Sequence, residues 1–271
     1  MVSNNPLKQK KTMKKYIFMA VAGMLALSSC SNDDNDQTTQ NAPRQMTFTA
    51  GFGDGATTRA TLSGKSVTFD ADDEISILSA NNTNTRFTTS AGGASATFTG
   101  TATAGDPTYY AVYPYTDGLT LSGTTISGVE IPYDQTNAAT STCGWDPAAP
   151  IAYATTTGTS LQFQNACALL KITNDRGEAT KIDVFCNEVL AGTFSLNTSS
   201  GALSGGDFAL AQVMSVPSGK TIYIAIAPGT KTNFVARWRG NSGKASKEKS
   251  SFTFEAGKIY DLGNTSDWDA Y

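Results

Sequence analysis

The sequence contains no histidine. That absence removes Ser-His-Asp and Cys-His catalysis together with the commonest metal ligand. Phosphate and dinucleotide loops are missing too. Gly219-Lys220-Thr221 resembles the end of a P-loop, but Met214 stands where its first glycine is needed and a strand pattern follows. Gly51, Gly53 and Gly55 do not satisfy the dinucleotide fingerprint, because Ala56 holds its third glycine site. Cysteines are few: Cys30, Cys143, Cys167 and Cys186, without the close pairs of a zinc site. Cys167, inside Ala166-Cys167-Ala168-Leu169-Leu170, reads as a small buried hydrophobe. Asp70-Ala71-Asp72-Asp73-Glu74 lacks the glycine and distal glutamate of a calcium loop and reads as a solvated turn between two strands. No catalytic residue, metal or cofactor is expected.

Arginine is also scarce and scattered, at Arg44, Arg59, Arg86, Arg176, Arg237 and Arg239. The only apolar run of note, Ile17 to Leu27, is shorter than the roughly 20 residues that cross a bilayer. It follows Lys14 and Lys15 and leads into Leu27-Ser28-Ser29-Cys30, the pattern of a lipoprotein signal peptide. Residues 1–29 are therefore expected to be removed, with Cys30 as the lipidated residue and Met1 or Met13 as the start. Loss of that leader changes the balance of 20 basic and 23 acidic residues to 15 against 23. So acidic a chain repels phosphate backbones, and no nucleic-acid partner is expected. Residues 30–44, from Cys30 through Ser31-Asn32-Asp33-Asp34-Asn35-Asp36 to Arg44, read as a polar tether.

From Gln45 onward, helical periodicity is nearly absent and short alternating or β-branched runs take its place. They include Met46-Thr47-Phe48-Thr49-Ala50, Glu74-Ile75-Ser76-Ile77-Leu78, Ala96-Thr97-Phe98-Thr99, Tyr109-Tyr110-Ala111-Val112-Tyr113 and, later, 166–173, 181–185, 221–227, 233–238, 251–254 and 258–262. Clusters such as Ser204-Gly205-Gly206-Asp207 supply turns. This pattern predicts antiparallel β-sandwiches, with a boundary or crossover near residue 150 that divides 45–150 from 151–271. Tyr109, Tyr110, Tyr113, Tyr115, Trp145 and Trp238 are of the types that stack on sugars. Alternation along 109–113 requires at least one face of that strand to be core.

Several segments, in order behind the lipobox, carry a family resemblance: Thr57-Thr58-Arg59-Ala60-Thr61-Leu62, Tyr110-Ala111-Val112-Tyr113-Pro114-Tyr115, Ile131-Pro132-Tyr133-Asp134-Gln135, Leu161-Gln162-Phe163-Gln164-Asn165, Tyr223-Ile224-Ala225-Ile226-Ala227-Pro228-Gly229 and Ala256-Gly257-Lys258-Ile259-Tyr260-Asp261-Leu262-Gly263. Together they resemble the fimbrillin family of type V pilins and fimbrillin-like lipoproteins. The resemblance implies an all-β fold of two transthyretin-like antiparallel β-sandwich domains, delivered as a lipoprotein to the outer membrane and exposed at the cell surface. It implies other fimbrial subunits as partners, joined by strand addition after an arginine-specific protease has cut beyond the first strand. Carried onto this chain, Arg59 is the processing site, with Arg44 as its rival. A cut at Arg44 would free the lipid without releasing the strand that begins near Gln45. The other function class is a monomeric, lipid-anchored glycan-binding module.

Overall fold

The computed structural model describes residues 42–52, 68–141 and 144–271. Nearly all of its regular structure is strand, as the alternation in the sequence predicts. β1 (Pro43–Phe52), β2 (Glu74–Ser79), β3 (Asn82–Thr88), β4 (Ser95–Thr103) and β5 (Tyr109–Tyr113) come first. The hairpin β6 (Thr120–Ser122) and β7 (Thr125–Ile131) and a single turn of helix, α1 (Asn137–Thr140), precede β8 (Ala152–Thr156) and β9 (Ser160–Asn165). β10 (Ala168–Asn174), β11 (Ala179–Phe185), β12 (Gly192–Asn197), β13 (Leu203–Gly205), β14 (Leu210–Val216) and β15 (Lys220–Ile226) follow. The long hairpin β16 (Gly229–Gly240) and β17 (Gly243–Phe254), then β18 (Ile259–Asn264) and β19 (Asp269–Ala270), complete the set.

The first sheet runs in the order β1-β4-β3-β2-β5-β8-β9 and closes on itself. Two of its joints are narrow. β3 meets β4 only at Thr88 and Thr99, while β9 joins β1 in parallel over four residues. The ring is therefore a sandwich pinched shut at its sides, and closure removes the open edges that would recruit other strands. At the β3–β4 crossing Gly100 is required, because a Cβ there would lie 2.7 Å from the Arg86 carbonyl oxygen and 2.7 Å from the Phe87 ring. β8 and β9, beyond residue 150, complete this first sheet. β6 and β7, before it, belong to a second sheet of order β13-β12-β7-β6. Two more sheets, β15-β10-β18 and β14-β11-β16-β17-β19, face each other in the second half.

Three cores result, and the period-two rule shows how they are divided. Ile77, Ala111 and Ala154 point into the first ring beside Phe48, Phe87, Phe98 and Phe163. Leu78, Val112 and Tyr153, one residue along each strand, point the other way into a core shared with Ile126, Ile131, Phe194 and Leu196. Strands β2, β5 and β8 thus form a wall with a core on each side. The third core packs Leu170, Ile172 and Ile224 against Ile182, Val184 and the fully buried Trp238. Trp238 Nε1 donates to Asn174 Oδ1 at 2.9 Å, which satisfies its one polar atom.

Candidate functional site

The first strand is the feature around which a site is built. In Met46-Thr47-Phe48-Thr49-Ala50 the threonines face outward, while Phe48 and Ala50 are fully buried. β1 lies antiparallel to β4 from Pro43 opposite Thr103 to Gly51 opposite Ser95, and parallel to β9 from Thr49 opposite Ser160 to Phe52 opposite Phe163. Its aromatic side chains fit a seat made of other rings. Phe48 meets the Phe87 and Tyr109 rings edge-on at 5.4 and 5.3 Å, and Phe52 stacks on Phe69 at 5.1 Å and tilts against Phe163 at 6.0 Å. Without β1, the rings of Phe69, Phe87, Phe98 and Phe163 would lose their cover, each worth about 1.5–3 kcal/mol of burial. The facing edges of β4 and β9 would also lose their ladder partners. The seat is shaped for an extended segment with apolar residues at alternate positions, as β1 itself supplies.

Polar locks hold both ends of the seat. At the Phe52 end, Asp73 accepts from the Asp70 amide at 2.8 Å and from the Tyr113 hydroxyl at 3.1 Å. Burial nevertheless pushes its carboxyl above the ordinary carboxylate value. The acidic run at 70–73 is thus a turn before β2, held by the Asp73 amide bonding back to the Asp70 carbonyl. At the opposite end, the Asn82 amide donates to Ser79 Oγ, the Thr103 carbonyl and Asp106, and Asn82 Oδ1 accepts from the Thr103 amide.

Of the residues singled out in the sequence, Cys30, Arg59 and Cys143 lie outside the described residues. Arg44 is exposed, the second residue of β1, opposite Ala102. Cys167 and Cys186 are buried and unpaired. Burial pushes the Cys167 thiol up to about 12, and it raises that of Cys186, whose Sγ donates to the Glu188 carbonyl at 3.0 Å. Neither thiol is a nucleophile near neutral pH. The aromatic residues do not assemble into one platform. Tyr109 and Tyr113 serve the first core, Tyr110 packs on the second, Trp238 is buried in the third, and Tyr115 lies under the Arg86 guanidinium at 4.1 Å. Among the described residues, no cluster of three or more His, Cys, Asp or Glu side chains could hold a metal ion. An exposed pair that the sequence did not single out, Tyr133 and Phe208, has ring centroids 4.7 Å apart. The two residues are 75 apart in the chain, so no local pattern marks them as neighbours.

The residues after β18 are firmly docked. Trp268 is 3% exposed and belongs to the third core. Arg176 donates from Nε to the Thr265 carbonyl at 3.0 Å and from Nη2 to the Trp268 carbonyl at 2.8 Å. Asp175 accepts from the Ser266 amide at 2.7 Å and its hydroxyl at 2.6 Å, and these bonds hold the Asp175 carboxyl below its ordinary value.

Similarity to known proteins is visible in structure and not in sequence. No family model and no curated protein matches the chain. A candidate cell adhesion protein of Bacteroides uniformis aligns with 84% of this chain and 96% of its own, at 14% identity and a TM-score of 0.53. One from Bacteroides ovatus aligns over 85% and 95%, at 14% identity and a TM-score of 0.51. A fimbrial protein of Bacteroides ovatus aligns over 83% of this chain and 48% of its own at 12% identity, but with a TM-score of 0.37 that likeness carries nothing. At these identities the likeness establishes a shared all-β fold.

Proposed function

We propose that the chain is a fimbrillin-like surface subunit, exported as a lipoprotein through Cys30 and assembled with other fimbrial subunits by strand addition, in which β1 is the exchanged element. The observation that carries this reading is the seat of β1. Its two inward aromatics fill a groove of rings contributed entirely by residues from Phe69 onward, and its only covalent link to them is the segment 53–67, whose single arginine is Arg59. A cut after Arg59 separates β1 from everything that holds it, and a cut after Arg44 does not, because β1 continues to Phe52. Strand addition then follows from ordinary sheet chemistry, since unpaired ladder groups and empty aromatic pockets are completed by a strand supplied in trans. A head-to-tail contact of this kind propagates into a filament.

The docked end supports an acceptor more than a donor. With Trp268 in the third core, residues 264–271 serve their own fold, which suits a tip or accessory subunit better than one that gives this segment away. Likeness of fold to candidate adhesion proteins agrees with a role at the cell surface. The two sandwiches in this reading exchange strands about a crossover near residue 150. The test is N-terminal sequencing of the protein purified from cell surfaces, with electron microscopy of filaments that contain it. The expected mature chain starts at Ala60. A chain that still starts at Cys30 inside assembled filaments would refute β1 exchange.

A further inference from the structure

The outward face of the sheet β14-β11-β16-β17-β19 carries a charge pattern that neither folding nor strand addition uses. Side chains alternate across each strand, so Ile182, Val184, Ala236, Trp238 and Ala245 enter the third core while Lys181, Asp183, Arg237, Arg239 and Lys244 face away from it. The register places Lys181 opposite Arg239, and Arg239 opposite Lys244. Three cations thus form one row across three strands, roughly 10 Å long at ordinary strand spacing. Like charges directly opposite each other weaken a sheet, so the row is a cost to the fold. A single carboxylate answers it. Asp183, itself 0% exposed, accepts from Arg237 at 2.5 and 3.2 Å and lies 3.6 Å from Lys181 and 3.8 Å from Arg239. Arg237 is further fixed over the Phe185 ring at 4.0 Å. Other acids on the neighbouring strands, Glu248 opposite Val235, Asp269 opposite Ser246 and Asp134 bridged to Gln212, make no ion pair with the row among the described residues.

Arg239 supplies a second, independent observation. Its Nε is buried and has no hydrogen-bond partner among the described residues, although the side chain is 37% exposed. A buried donor without an acceptor is costly, and Asp183, 3.8 Å from Nη2, does not complete the guanidinium, whose side chain stays partly open to solvent. In a chain whose net charge is −3, four cations (Lys181, Arg237, Arg239 and Lys244) gathered around one carboxylate do not follow from composition. At the β14 edge of the same sheet lies the exposed Tyr133–Phe208 pair: the Gln212 amide donates to the Tyr133 carbonyl at 2.7 Å, and Gln212 pairs with Asp183.

We infer that this face binds an acidic polysaccharide, its sulfate or carboxylate groups held by Lys181, Arg239 and Lys244. A short row bounded by acids, in an acidic protein, suits a chain with spaced anionic groups and repels the dense charge of a nucleic-acid duplex. None of these residues lines the seat of β1, so the site is independent of subunit assembly and is unaffected if that reading fails.

The test is binding of the purified full chain to immobilised heparin across a salt series, with hyaluronan, neutral dextran and duplex DNA in parallel. Heparin is expected to bind at low salt and release as salt rises. The combined variant Lys181→Gln, Arg239→Gln, Lys244→Gln should lose at least tenfold in affinity, and Lys258→Gln, whose partner is Glu255, should lose nothing. Binding of hyaluronan as well makes carboxylate a sufficient ligand group; heparin alone makes it sulfate. The combined variant leaves Arg237 on the buried Asp183 carboxylate but removes the cations at 3.6 and 3.8 Å, so its melting curve is recorded beside the parent's to show that the fold is kept. Should it fail to fold, Lys244→Gln, at an exposed position, is expected to weaken binding about threefold. No heparin binding, equal loss in Lys258→Gln, or equal affinity for duplex DNA overturns the inference.

Discussion

Truncating Phe48 to alanine removes the central anchor of β1. The side chain is fully buried and makes two edge-on ring contacts, at 5.4 Å to Phe87 and 5.3 Å to Tyr109. Phe→Ala changes at such sites cost about 3–5 kcal/mol, and the paired rings place this one near 4. In a fold of this size each kcal/mol lowers the melting temperature by about 2–4 °C, so the transition of the first barrel should fall by roughly 8–16 °C. Phe52 is only partly buried, and Phe52→Ala should cost about half as much. The assays are thermal melting and urea denaturation followed by circular dichroism, with both variants beside the parent. If the chain is cut after Arg59, as proposed, the same energy appears in a second form. The released segment is then held without a covalent link, and about 4 kcal/mol corresponds to roughly a thousandfold weaker hold in the Phe48→Ala chain. A loss below about 1 kcal/mol for Phe48→Ala, or a larger loss for Phe52→Ala, would refute the seating of β1 described above.

Other consequences can be measured separately. Gly100→Ala forces a Cβ to 2.7 Å from backbone and ring atoms where β3 meets β4, and should destabilise by on the order of 2 kcal/mol in the same denaturation assay. Trp238→Phe takes the indole donor from Asn174 Oδ1 and leaves a gap in the third core, and should cost about 2–3 kcal/mol. Cys167, its thiol raised to about 12, should resist iodoacetamide at roughly pH 8 in the folded chain and react on unfolding, as read by peptide mass spectrometry. The Ser266 bonds hold Asp175 below its ordinary value, so their stabilisation is full above about pH 4 and is lost as the pH falls through the lower folded value. Asp175→Asn should therefore flatten the acid side of a melting curve series taken below about pH 4.

Legibility in the sequence followed burial. β1, β2, β5 and β15 stood out because each places apolar residues at alternate or successive positions between turn residues. β3 was invisible, since Asn82-Thr83-Asn84-Thr85-Arg86-Phe87-Thr88 has one large apolar residue and is held instead by the Asn82 network. In β7 the alternation breaks at Gly128, which takes a φ of +95°. The first half of β17 reads as a charged loop, because Ala245 is its one buried apolar residue there. The site divides in the same way. Phe48 and the strand that carries it are evident, but the rings that receive Phe48 come from β3 and β5, and only the fold joins them. The basic row is harder still, because Lys181, Arg239 and Lys244 are neighbours through strand register and not through spacing.

The length over which β1 is held also has a mechanical meaning. It is paired with β4 at nine successive positions, and the β9 contact runs parallel along its last four. Tension applied along the axis of this strand loads all of those positions at once, in shear, instead of opening them one after another. Resistance to pulling is set by the rate of escape over a single large barrier, and so by unfolding kinetics more than by equilibrium stability. Any strand that occupies this seat inherits that geometry and can transmit load along its own direction while remaining easy to peel from one end.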